Sequence, residues 1–127
     1  MPSAAELRKI ARARLKDAQV LYKNNRFDGA WYLCGYCVET MLKARICSAL
    51  HWKDYQVGKD FQSFKTHNLD TLLTLSGREQ KIKSAHMADW SGVAQWDPEA
   101  RYKPIGSVTK AEAQLLIRRT EALLAVV

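Results

Sequence analysis

No run of this sequence approaches the roughly 18 uncharged apolar residues that a membrane-spanning helix needs. Residues 1–16 are studded with Arg and Lys and lack an apolar stretch, which argues against a secretory signal. Cysteine is scarce and odd in number, three in 127 residues, so a disulfide framework is not expected and a reducing cytoplasm is. Three prolines and six glycines are too few for a fibrous or low-complexity chain. Strand-like alternation is missing, as are internal repeats, a phosphate-binding Walker loop, and the GxSxG, HExxH and GxGxxG patterns. These absences point away from membrane proteins, disulfide scaffolds and the common hydrolase and dinucleotide-binding classes.

What remains is an ordinary globular composition, 47% hydrophobic and 26% charged, in a length that fits one domain over residues 1–127. The net charge of +7 and pI near 9.5 suit a polyanionic partner, although a merely solvated basic surface gives the same figures.

Hydrophobic spacing predicts helices. Ser3 and Glu6 form a capping-box pattern that opens a helix reaching Lys23, with Leu7, Ile10, Ala11, Leu15, Ala18, Leu21 and Tyr22 on one face. Arg8, Lys9, Arg12, Lys16 and Lys23 gather on another face as a basic stripe. Asn24-Asn25-Arg26 makes a tight break, so the next helix is expected to run antiparallel. That second helix, from about Phe27 to about Leu50, is apolar over half its circumference: Ala30, Leu33, Cys34, Cys37, Val38, Met41, Leu42 and Ala44, with Trp31 at the edge. A helix so broadly apolar is the centre of a bundle. Gly35 within it suggests the close approach of a neighbour.

After it come an aromatic loop over residues 51–66 and a short helix in THNLDTLLTLSG, stopped by Gly77. A polar helix is predicted over 78–90 and a second loop over 91–107. Thr109 and Glu112 then open a final helix with a second capping box. The fold class is therefore all-α, an up-and-down bundle of four to five helices.

Several residue groups could carry chemistry. Cys34, Cys37, Cys47 and His51 have superficial zinc-ligand spacing, but on a continuous helix Cys34 and Cys47 lie about 20 Å apart at 1.5 Å per residue. No metal and no cofactor is expected, and the thiols read as small buried hydrophobes. Tyr32, Tyr36, Glu39 and Lys43 fall on one line of the second helix, at spacings of four, three and four. Two phenols, a carboxylate and an ammonium in a row could hold a nucleotide or phosphate, form an intersubunit seam, or make an exposed Glu–Lys pair. Arg14, on the otherwise apolar face of the first helix, is the expected partner if the line is buried. Arg101-Tyr102 pairs a guanidinium with an aromatic ring, as phosphate and base recognition often does; a turn closed by Asp97 or Glu99 is the simpler alternative. His67, just before Asn68-Leu69, can cap the short helix.

Three blocks, RLKDAQVLYKNNRFDGAWYLCGYCVETMLKA, THNLDTLL and ARY, together resemble the HEPN family (higher eukaryotes and prokaryotes nucleotide-binding) over essentially the whole chain. Glu39-Thr40-Met41-Leu42-Lys43-Ala44 stands where that family has E-x-x-L-K-A. The resemblance implies an up-and-down bundle with a further short helix, usually dimeric. It also implies one of two functions. Some members are metal-independent ribonucleases with an Arg and a His separated by four to six intervening residues and brought together across a dimer. Others lack that motif and accompany a minimal nucleotidyltransferase in toxin–antitoxin or defence-type pairs.

Arg45 and His51 are the formal match to the ribonuclease spacing, but they lie at the end of the central helix rather than in a later one. Ile46 also replaces the polar residue expected after the Arg. The leading expectation is thus a non-catalytic module, dimeric and cytoplasmic, that binds a nucleotide, RNA or a nucleotidyltransferase through Arg14, Tyr32, Tyr36, Glu39, Lys43, Arg101 and Tyr102. The alternatives are a ribonuclease using Arg45 and His51, or His67 and Arg101, and a module serving only homodimerisation.

Overall fold

The computed structural model describes residues 2–127, which hold six α-helices and two short 3-10 segments. Helix α1 spans Ala4–Lys23 and α2 spans Phe27–Ala49. A 3-10 segment, Lys59–Phe64, precedes α3 (Leu69–Ser76), α4 (Glu79–Ala85) and α5 (Met87–Ala94). A second 3-10 segment, Pro98–Tyr102, leads to α6, Lys110–Val126. The architecture is all-α; among the described residues the sole β feature is an isolated bridge between Ser3 and Asp54. No described helix is long and apolar enough to cross a membrane.

Both capping boxes form. The Ser3 hydroxyl accepts from the Glu6 amide while the Glu6 carboxylate accepts from the Ser3 amide at 2.8 Å, and Thr109 and Glu112 repeat the arrangement. Asn25 takes a left-handed backbone (φ 60°) between α1 and α2, which fold back against each other as the short break requires. Gly77, at φ 76°, ends α3 in the left-handed conformation that a side chain would strain.

Helix α2 is the axis of the molecule and packs against α1, α3 and α6. Its predicted arc is buried, with Leu33 and Trp31 half-buried at the margin. On α1, Leu7, Ala11 and Ala18 are buried, whereas Ile10 stands 38% exposed and leaves the predicted face.

The segment expected as one helix over 78–90 is two. His86 departs from helical geometry (φ −133°, ψ 32°), and the bend swings α5 onto α6 with Trp90 and Val93 in the core. Buried Trp90 donates its indole N–H to Asp70 Oδ1 of α3 at 2.8 Å. The two loops also acquire structure. In the first, Trp52 packs edge-on against Phe61 and Phe64, and the Tyr55 hydroxyl donates to the Phe64 carbonyl at 2.6 Å. In the second, Asp97 caps the 3-10 segment by accepting from the Glu99 amide at 2.7 Å.

Candidate functional site: a polar line on the central helix leading to Arg101

The line Tyr32–Tyr36–Glu39–Lys43 is not an exposed face. Glu39 and Lys43 are 5% and 8% exposed, joined by Lys43 Nζ to Glu39 Oε2 at 3.2 Å. A buried carboxylate must satisfy its remaining lone pairs. Glu39 does so through its other oxygen, which lies 2.7 Å from His67 Nδ1. The Lys43 ammonium sits 5.4 Å from the centre of the Tyr55 ring, so the aromatic loop roofs the pair. His67 is anchored at one end only: its side chain is 59% exposed. Asn68, not His67, caps α3, accepting from the Thr71 amide at 2.9 Å.

At the other end of the line the Tyr32 and Tyr36 hydroxyls lie 3.0 Å apart. Tyr36 meets Trp96 edge-on, with ring centres 4.8 Å apart. Burial pushes the Tyr36 phenol up to about 12, and its bond to Tyr32 adds to that, so it stays a neutral donor across physiological pH. Trp96, itself buried, rests directly on Gly35 and donates its indole N–H to the Tyr32 carbonyl at 2.9 Å. Gly35 therefore has the close neighbour that its place in the helix implied.

Trp96 leads into the capped turn that carries Arg101. The guanidinium of Arg101 lies 4.8 Å from the Tyr102 ring centre, within electrostatic reach of Tyr32 and Tyr36. No ion pair among the described residues involves Arg101, so neither Asp97 nor Glu99 closes the turn through it.

Arg101 stands between two recesses. One, of about 470 Å³, has His67, Asn68, Trp96, Asp97 and Glu99 in its walls; the other, of about 220 Å³, has Trp31, Tyr32 and Lys103. The Lys103 ammonium lies 4.8 Å from the Trp31 ring centre. Asp28, also in the smaller recess, accepts from the Gly106 and Val108 amides at 2.6 and 3.0 Å, so its charge is partly spent on backbone.

The fold thus gathers Tyr32, Tyr36, Glu39, Lys43, His67, Arg101 and Tyr102 along one side of α2. It does not gather Arg14, which is exposed. Asp17, one turn further along α1, offers a carboxylate at 3.2 Å, so the guanidinium stays in water rather than entering the core. Arg45 and His51 are not brought into one pocket either. Helix α2 ends at Ala49, and His51 follows in a left-handed conformation (φ 56°), exposed and outside the depression that Arg45 lines.

The cysteines are buried free thiols on the continuous helix α2. Burial raises all three, Cys34 to about 12, which leaves almost no thiolate to act as nucleophile or ligand. Trp96 and Asp28 were missed as site-forming residues. Trp-Asp-Pro, an aromatic anchor before a side-chain-capped turn, is the signal that could have found Trp96.

The architecture and this side-chain line define an α-helical bundle whose central helix leads a buried ion pair to a surface cleft. A model of the HEPN domain matches residues 4–127, and the chain belongs to that family of nucleotide-binding and ribonuclease-type modules. No curated protein and no solved structure matches it.

Proposed function

We propose that the chain is a binding module that holds a phosphate of a nucleotide or RNA on Arg101, between the two recesses. The observation that carries this reading is the state of Arg101: an exposed guanidinium without a carboxylate partner, backed by Tyr32, Tyr36 and Tyr102. Arg presents a planar fork of donors suited to phosphate, and Trp31 and Tyr102 supply rings against which a base could lie. Asp97 is engaged by the Glu99 amide, and Asp70, which also borders the larger recess, by the Trp90 indole. A second copy of the chain and a minimal nucleotidyltransferase belong to the same reading as partners.

Fluorescence anisotropy with a labelled adenosine nucleotide, using wild type and Arg101→Ala, tests it. A charge-assisted bond contributes about 1.5–3 kcal/mol, so the substitution should weaken binding by roughly 10- to 100-fold. Equal binding by both proteins, or none by wild type, refutes the reading.

One observation favours a ribonuclease as the second reading: His67 is oriented by a buried carboxylate and shares a recess with Arg101. Neutral His67 would take the proton of a ribose 2′-hydroxyl as its oxygen attacks the adjacent phosphorus. The 5′-oxygen would leave, giving a cyclic phosphate and a new 5′-hydroxyl after protonation, with Arg101 holding the phosphate charge. Chelator-resistant RNA cleavage by wild type, lost in His67→Ala, would replace the binding-only reading.

A further inference from the structure

Away from the Arg101 recesses, Arg8 and Arg12 of α1 and Arg45 of α2 gather beside the end of α6, with Arg78 at the start of α4 near enough for its charge to act on Arg45. Arg8, Arg12 and Arg45 line a depression of about 160 Å³ together with Met41, Leu124 and Val127. Arg8 Nη2 donates to Ser48 Oγ at 2.6 Å, which fixes one guanidinium across the two helices. The Arg45 and Arg78 Nε atoms are buried and have no hydrogen-bond partner. None of the four arginines enters an ion pair among the described residues, and no acidic side chain lines the depression. Burial, then the charges of Arg78 and Arg8, lower the Arg45 pKa, which places the three guanidiniums in one mutually repelling group.

Guanidiniums cannot relieve such crowding by losing their protons. A bound oxyanion can relieve it, because each guanidinium offers two parallel N–H donors to a tetrahedral phosphate. The cluster also continues outward. Arg8, Arg12 and Lys16 follow one another every four residues along α1, a row of about 12 Å at 1.5 Å per residue. That length matches three to four stacked nucleotides at about 3.4 Å each.

From this juxtaposition we infer that the Arg8–Arg12–Arg45 cluster is a phosphate site for the backbone of a polynucleotide strand, which then runs along α1 over Lys16. The surface reads charge and not sequence, since backbone contacts carry no base information. It is separate from the Arg101 recesses, and the inference does not rest on their reading.

The test is anisotropy with a labelled 12-nucleotide oligouridylate between 50 and 200 mM salt. Wild type is compared with Arg12→Gln/Arg45→Gln, Arg12→Gln/Lys16→Gln and Arg101→Gln. The second pair changes only exposed side chains, so its effect cannot come from a damaged core. Each double substitution should weaken binding at least tenfold and flatten the log–log salt slope by about 1.4, or about 0.7 per lost phosphate contact. An oligoadenylate should behave alike.

Unchanged affinity and slope in both double variants overturns the inference, as does a wild type that binds neither oligonucleotide. Loss of binding in Arg101→Gln alone also overturns it while leaving the recess reading intact. In a thermal-melting arm with inorganic phosphate, wild type should be stabilised more than Arg12→Gln/Arg45→Gln. That difference without an effect on oligonucleotide binding identifies a site for free phosphate and overturns the polynucleotide assignment.

Discussion

Replacing Gly35 by alanine should unseat Trp96 and, with it, the turn that carries Arg101. A β-carbon at residue 35 would lie 1.8–2.2 Å from three carbons of the Trp96 indole. Carbon atoms pack at about 3.5–4.0 Å, so the ring must retreat by roughly 1.5 Å. Overpacking of this kind costs about 1–3 kcal/mol. The retreat also strains the indole bond to the Tyr32 carbonyl, worth about 1 kcal/mol, and the edge contact with Tyr36, worth about 0.5–1.5 kcal/mol. Alanine recovers up to about 1 kcal/mol of helix propensity, leaving a net loss of about 1.5–4.5 kcal/mol. Urea unfolding followed by circular dichroism should show a lower midpoint with an unchanged slope. Gly58→Ala is the control, because no atom lies within 4 Å of its added carbon. An unchanged or raised midpoint for Gly35→Ala would refute the packing of Trp96 on the central helix. In the same protein, nucleotide binding should fall even though residue 35 cannot touch a ligand bound at Arg101.

Glu39→Gln should destabilise the domain by about 3 kcal/mol, because it leaves the Lys43 ammonium buried without its carboxylate. Glu39→Gln/Lys43→Met should regain most of that loss in the same urea experiment; a double variant less stable than the single one would contradict a buried pair. The Glu112 carboxyl is held below its ordinary 4.5 by the Thr109 amide and then the Thr109 hydroxyl. Its stabilising effect is therefore complete above about pH 4.5 and is lost as pH falls through the lower folded value. Melting temperatures measured from pH 6 to pH 3 should consequently fall less steeply in Glu112→Gln than in wild type, and parallel curves would count against the second capping box.

The helices legible in the sequence are those whose boundaries are written in local chemistry. Ser3 and Glu6, Asn24-Asn25, Gly77, and Thr109 with Glu112 each act within a few residues, and all take the predicted roles. The break at His86 has no comparable signal, being set by where Trp90 and Val93 must dock. The same division holds for the site. Helical spacing puts Tyr32, Tyr36, Glu39 and Lys43 on one line, but only the packing of α3 and the aromatic loop makes that line buried. Arg14 was misplaced because a pattern on one face of α1 says nothing of Asp17, a nearby carboxylate reachable in water. His67 finds Glu39 across 28 residues of sequence, a distance over which no periodicity reports.

The segment bearing Arg101 is tied at both ends to the start of α2, by the Trp96 indole on Tyr32 and by Asp28 on the Gly106 and Val108 amides. These ties close loops of 64, 78 and 80 residues. The entropy lost in closing such loops must be offset by the contacts made at their ends. The guanidinium at the cleft is thus placed by contacts far apart in sequence rather than by the helix it serves. The position of Arg101 is therefore coupled to two residues at the start of α2, Tyr32 and Asp28, so a change at either is felt at the cleft.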